Sequence, residues 1–214
     1  VAFRIVVLGA SGGCGQHVVR HAILRGHAVT ALVRPAARYA APAGATVIRD
    51  DVLRDGAIAD AIRGHDLVIS CLGIRRRRPR NPWSGLVSPA DLTARTARAI
   101  VDGAGAANVA RVLAISAAGV GDSAPRMNWV MRFLVKHSKI GVAYRDLGVA
   151  EGVLAGSSLD WTAVRPVTLT SGRARTTREV ERFGLVATIS RESVARWLLD
   201  HLESGGPRTP MIAH

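Results

Sequence analysis

The sequence predicts a doubly wound α/β protein, one parallel β-sheet with helices on both faces, built as a single domain over residues 1–214. Short β-branched runs alternate with longer stretches whose apolar residues recur at helical spacing, and glycines or other turn residues punctuate the junctions. The short runs are apolar throughout rather than at every second residue. A strand that is apolar on both faces needs cover on both faces, which helices supply in a parallel sheet. A chain of 214 residues buries one sizeable core and is short for a second full domain.

Phe3-Arg4-Ile5-Val6-Val7-Leu8 is too short and too β-branched for a helix and runs straight into glycine, so it reads as the first buried strand. From Gln16 to Arg25, Val18-Val19 and Ala22-Ile23 fall on one helical face, with Gly26 as the C-terminal stop. A second strand follows at Ala28–Val33. Strand Thr46–Arg49 leads through Asp50-Asp51 to a helix around Gly56–Arg63 and then to strand Leu67–Leu72. A helix from about Pro89 to Ala104 precedes strand Arg111–Ile115, and one from about Val142 to Leu154 precedes strand Trp161–Val164. Ser190 suits an N-cap, with Glu192 in the first turn of a helix ending near Leu202, and Pro210–Ala213 forms a last strand. Two segments break the alternation. Ile74–Ser88 is a loop rich in Arg and Pro, and Gly119–Gly141, with Met127, Trp129, Met131 and Phe133, is a loop holding a short helix.

The composition, 48% hydrophobic and 21% charged, is that of an ordinary globular protein, and its Arg content follows a general Ala-Gly-Val-Arg bias. Lys and Arg outnumber Asp and Glu by 29 to 16, and the net charge of +13 favours anionic partners: phosphorylated cofactors, acidic substrates or nucleic acid. Nucleic-acid binding asks for a groove-reading helix or interleaved aromatics, which Trp83 alone does not supply. The two cysteines, Cys14 and Cys71, read as reduced thiols of a reducing compartment. No apolar run approaches the roughly 18 residues of a membrane span, and Val1–Leu8 reads as a strand rather than a signal peptide, so a soluble cytoplasmic protein without a membrane partner is expected. His17, His21 and His27 lie on or beside the first helix, none at metal spacing from a Cys or carboxylate, and no metal is expected. Ser11 lacks the spacing of a nucleophile elbow.

Gly9-Ala10-Ser11-Gly12-Gly13-Cys14-Gly15 places glycines at spacing three and three between the first strand and the first helix. Residues without a β-carbon allow the tight turn and let a pyrophosphate approach the amides at a helix N-terminus, the arrangement of a dinucleotide-binding Rossmann fold. The bland alternative is a Gly-rich turn, and the strand–loop–helix context weighs against it. NAD-binding members of that fold carry an acid at the end of the second strand. Here Arg34 follows Val33 instead, with Arg38 one helical turn later, and an Arg at this place can pair with the 2′-phosphate of NADP(H). Two solvated arginines in an Arg-rich chain are the competing reading.

The glycine loop together with Leu32-Val33-Arg34, Arg49-Asp50-Asp51-Val52-Leu53, Cys71-Leu72-Gly73, Ile115-Ser116 and Ser158 through Pro166 resembles the short-chain dehydrogenase/reductase superfamily. The resemblance is to its atypical, NmrA-like NAD(P)H-binding branch, that of the flavin reductases of biliverdin reductase B type. It implies adenine contacts from Asp51 and Val52, ribose-side contacts from Leu72 and Gly73, and nicotinamide contacts from Ser116, Pro166 and Val167. It also implies an NADPH-dependent reductase of a carbonyl, quinone, flavin or similar conjugated acceptor, or else a non-catalytic NADP(H) sensor. Typical members pair a Tyr with a Lys four residues on, and the Lys lowers the phenol pKa. Tyr144 is followed at that spacing by Gly148, and the register set by Glu151 and Leu154 puts Ala143 and Leu147 in those places. Ser116 and Tyr144 are therefore the catalytic candidates. Ser116 can polarise an acceptor or hold the carboxamide, or it is a strand-end turn residue; Tyr144 is an acid, a substrate ligand, or packing. The substrate pocket is expected from 74–89, 117–141 and 166–190, with Arg75–Arg78 and Arg80 drawing an anionic small-molecule substrate or remaining solvated. Trp129, Met131, Phe133, Trp161 and Trp197 are expected in the core or a pocket wall.

Overall fold

The computed structural model describes residues 1–184, 186–203 and 208–214. Strand β1 (Arg4–Leu8) lies at the centre, because its apolar run leaves no position that tolerates water: Ile5 to Leu8 are fully buried. Side chains alternate across a strand. Ile5 and Val7 therefore face one hydrophobic cluster, with α1 (Gly15–Leu24) and α6 (Arg191–Asp200). Val6 and Leu8 face the other, with α2 (Ala57–Ile62), α3 (Leu92–Ala107) and α5 (Ile140–Ala155).

The remaining strands are β2 (Ala28–Val33), β3 (Ala45–Arg49), β4 (Leu67–Ser70), β5 (Arg111–Ile115), β6 (Asp160–Pro166), β7 (Thr168–Thr170), β8 (Arg178–Glu179), β9 (Thr188–Ser190) and β10 (Met211–Ala213). The main sheet runs β3-β2-β1-β4-β5-β6-β10-β8, parallel except where β8 meets β10. In-register pairs such as Ile5 with Val29 and Ile5 with Leu67 fix its centre. The chain reverses direction across the sheet between β1 and β4, the topological switch where ligands settle at the carboxyl ends of the strands. This is the predicted doubly wound Rossmann architecture. A separate parallel pair, β7 with β9, was not foreseen, and neither was the short edge strand β8.

Several boundaries differ from expectation for physical reasons. Helix α3 begins at Leu92 and not Pro89, because Asp146 of α5 takes the free amides of its first turn, Thr93 N–H and Ala94 N–H, each at 2.9 Å. Strand β4 ends at Ser70, two residues earlier than expected. Ser190 caps α6 as expected, its hydroxyl oxygen accepting from Ser193 N–H at 3.0 Å. Between β5 and α5 lie a 3-10 turn at Gly121–Arg126 and α4 (Trp129–His137), which Asn128 caps through Met131 N–H at 2.9 Å. Helix α4 buries none of its residues. Trp161 and Trp197 lie in the core, whereas Trp129 is 75% and Phe133 54% exposed, which corrects their assignment to core or pocket wall. No helix among the described residues is long and apolar enough to cross a membrane.

Candidate functional site

The glycine loop turns on one short bond: Gly12 N–H donates to Gly9 C=O at 2.9 Å, with Gly9 at φ +76°, where a side chain would strain. A Cβ on Gly15 would strike Gly9 O and come within 2.8 Å of Ala10 Cα, so the first turn of α1 lies directly on the end of β1. Ala10 is fully buried with its amide on Leu32 C=O, and the Gly12 amide closes the turn, which leaves the amides of Ser11, Gly13 and Cys14 for a cradle at the N-terminus of a ten-residue helix. The cradle fits a dinucleotide pyrophosphate on its own geometry.

The other expected contacts fall along the same carboxyl edge, in the order the sheet dictates. Arg34 follows β2 and Asp51 follows β3, on one side of the loop. Leu72 and Gly73 follow β4, Ser116 follows β5, and Pro166 closes β6 with Val167 next, on the other. Val52 is buried, while Asp51 turns its own chain, Oδ1 accepting from Leu53 N–H at 3.0 Å. Arg34 and Arg38 are both exposed. They are not joined by a helical turn as expected: Ala37 N–H closes a reverse turn on Arg34 C=O at 2.9 Å, and the chain then continues without regular structure.

The two catalytic candidates line separate cavities. Ser116 is buried, and its Oγ has no hydrogen-bond partner; it faces a small cavity walled by Leu72, Thr93, Leu147 and Ala150. Tyr144 lines a cavity of about 200 Å³ with Ala118, Met131, Pro166, Val167 and Phe183. Its hydroxyl donates to Ala118 C=O at 3.2 Å, and burial pushes the phenol pKa above its ordinary value. Segments 117–141 and 166–190 contribute to this larger cavity; 74–89 does not, and packs instead against the end of α4, where Trp83 Nε1 donates to His137 C=O at 3.0 Å.

A buried ion pair stands beside the Ser116 cavity, of which Glu151 is a wall. Arg165 of β6 donates from Nε and Nη2 to Glu151 of α5, at 3.0 and 2.6 Å, and from Nη1 to Asp122 at 2.6 Å, tying the 3-10 turn to strand and helix. The Arg165 guanidinium holds the Asp122 carboxyl below the usual carboxylate range. Neither cysteine is poised as a nucleophile. Burial pushes the Cys14 thiol up to about 11 and that of Cys71 well above its ordinary value, and both are free.

Packing of α1 on α6 brings in residues that the sequence did not single out. Arg191 lies over the glycine loop, so that a Cβ on Gly13 would meet its Cδ at 2.6 Å and its Nε at 2.9 Å. Its Nη1 donates to Ser171 Oγ at 3.1 Å. Beside it, His17, His21 and Glu192 bring ligand-type atoms within 4.8 Å of one another, which corrects the expectation that no histidine meets a carboxylate at metal spacing. The cluster already contains a cation: Arg20 Nη2 stands 2.6 Å from Glu192 Oε1, with His21 Nε2 at 2.9 Å from the same oxygen. Only an N-cap signal at Ser190 marked this region, and no local pattern shows that two helices some 170 residues apart will touch.

Comparison with known proteins places this geometry. The isoflavone reductase homolog IRL of Zea mays is 34% identical over 80 residues, a stretch covering 33% of this chain and 26% of that protein, so the match spans about a quarter of the relative's length. ChuY, an anaerobillin reductase from Escherichia coli O157:H7, superposes with a TM-score of 0.75 at 22% identity over 98% of this chain and 96% of its own. A wide-type short-chain dehydrogenase/reductase from Veillonella parvula, solved in complex with NADP, gives 0.76 at 17% identity over 99% and 95%. The two superpositions establish the fold. A family described as NAD(P)H-binding matches residues 9–204, from the first glycine of the loop through the whole of α6. This chain belongs to that NAD(P)H-binding family.

Proposed function

We propose that the protein is an NADPH-dependent reductase that delivers hydride to a conjugated acceptor such as a carbonyl, quinone or flavin. The observation that carries this reading is the cavity of about 200 Å³ that Pro166 and Val167 share with Met131, Tyr144 and Phe183, at the same sheet edge as the glycine cradle. Pro166 and Val167 would border a nicotinamide ring beside that space, and the cofactor, when bound, would supply the hydride. The chain's own residues do the rest. Loop amides and Arg191 hold the pyrophosphate; Asp51 and Val52 border the adenine, and Leu72 and Gly73 the ribose. The Ser116 hydroxyl, unpartnered in its own separate cavity, is a free donor for the carboxamide. Met131 and Phe183 exclude water from the reacting face, and Tyr144, whose phenol burial keeps protonated, gives the cavity its polar edge. With no Lys to activate Tyr144, solvent supplies the proton that follows the hydride.

Arg34 and Arg38 support NADPH over NADH, since each can make charge-assisted bonds to the 2′-phosphate and no acid repels it at the end of β2. Titration of both cofactors tests this. NADPH should bind more tightly, and Arg34→Ala should weaken NADPH about tenfold or more, as expected for a lost hydrogen bond to a charged group, while sparing NADH. Equal affinities in the unaltered protein would remove the argument. Gly148, standing where an activating Lys would be, favours a second reading, a dinucleotide sensor without turnover. NADPH oxidation against quinones, flavins and aldehydes separates the two: tight binding with no turnover on any acceptor selects the sensor.

A further inference from the structure

The face made by α4 and the 74–89 loop brings together two stretches whose charged residues are all cationic. Between residues 74 and 90 every charged residue is an arginine, Arg75 to Arg78 and Arg80. Between 126 and 145 every charged residue is again cationic: Arg126, Arg132, Lys136, Lys139 and Arg145. Among the described residues none of these ten side chains joins an ion pair, whereas Arg4, Arg20, Arg25, Arg54, Arg111, Arg165 and Arg208 all do. The two segments form one surface, joined by the Trp83–His137 bond and by Lys139 N–H donating to Pro82 C=O at 3.0 Å.

Large apolar side chains sit among these cations. Trp129 and Phe133, one turn apart on α4, stand outward beside Arg132 and Lys136, and Trp83 and Val87 are each more than half exposed on the loop. We propose that this face docks the protein peripherally on an anionic lipid bilayer, with Trp129 and Phe133 entering the headgroup boundary and the exposed cations around them, Arg132, Lys136 and Lys139 on the helix side and Arg75, Arg77, Arg78 and Arg80 on the loop, meeting the lipid phosphates. A helix with an apolar stripe, basic flanks and aromatic residues is built for that interface. A second copy of the chain is a poor occupant, since it would set the same unpaired cations against one another. Nucleic acid would use the cations but has no use for the aliphatic surface of Val87 and Val130. The absence of a membrane-crossing helix bears on spanning, and a surface-bound protein needs none.

The docking does not depend on the reductase reading, and its test is separate. Sedimentation with vesicles of mixed phosphatidylglycerol and phosphatidylcholine at low salt should carry the protein down, whereas pure phosphatidylcholine should not. Raising salt to about 0.5 M should weaken the partition about tenfold or more, as screening shortens the reach of the cations. Trp129→Ser with Phe133→Ser should weaken it about tenfold by removing the buried apolar contact, with the melting temperature and NADPH affinity unchanged. Failure to sediment with anionic vesicles at low salt would overturn the proposal, as would equal sedimentation of the double variant. Retention on a single-stranded RNA oligonucleotide without vesicle binding would overturn it in favour of nucleic acid.

Discussion

Ser116 Oγ is buried and finds no hydrogen-bond partner within the protein, a condition that costs about 1–3 kcal/mol for a hydroxyl. A bound ligand recovers that cost. Replacing it with Ala should therefore raise the melting temperature slightly while weakening NADPH about tenfold, the size of one neutral hydrogen bond to the carboxamide, with kcat little changed. A loss of kcat with NADPH affinity preserved would bring the hydroxyl to the acceptor instead. Tyr144 makes a contrasting case. Burial raises its pKa, so the phenol stays protonated through the neutral range, and the pH–rate profile should show no ionisation from it below about pH 10. A limb near neutrality that vanishes in Tyr144→Phe would show an activated phenol. Ser116 was legible in the sequence because a strand-end position follows from local pattern. The separation of its cavity from that of Tyr144 was not, since it depends on how α5 packs.

At the scale of elements, the Arg165 triad ties β6 to α5 and to the 3-10 turn. Glu151→Ala should cost about 3 kcal/mol or more, because it leaves a guanidinium that is only 3% exposed at its side chain without its bidentate partner. Replacing both residues, Glu151→Leu with Arg165→Met, should recover much of the loss. Thermal melts of the two variants decide this, and a single variant as stable as the parent would show that Asp122 suffices as the counter-charge. Strands β1, β2 and β5 were legible to within a residue, since each is a compact apolar run bounded by turn residues. The start of α3 was not, because its boundary is set by Asp146, 53 residues away, and β7 and β9 are too short to show a pattern.

For the whole molecule, the order of the sheet could be read from the alternation of strand and helix, because parallel crossovers leave few arrangements open. What the alternation does not show is how α6 returns to the start of the chain. Arg191 reaches from α6 over Gly13 and holds Ser171, in the segment that continues to Phe183 and the wall of the acceptor cavity. On the proposed reading, a pyrophosphate on the loop would be held by that guanidinium, and the ion pair would anchor the wall through Ser171. The kinetic consequence is a compulsory sequence of addition, dinucleotide leading and acceptor following. NADP+ should inhibit competitively against NADPH and noncompetitively against the acceptor. In Arg191→Ala, NADPH should bind more weakly and the two ligands should add in either order. Strictly ordered addition surviving in that variant would mean that the sequence of events is imposed elsewhere in the molecule.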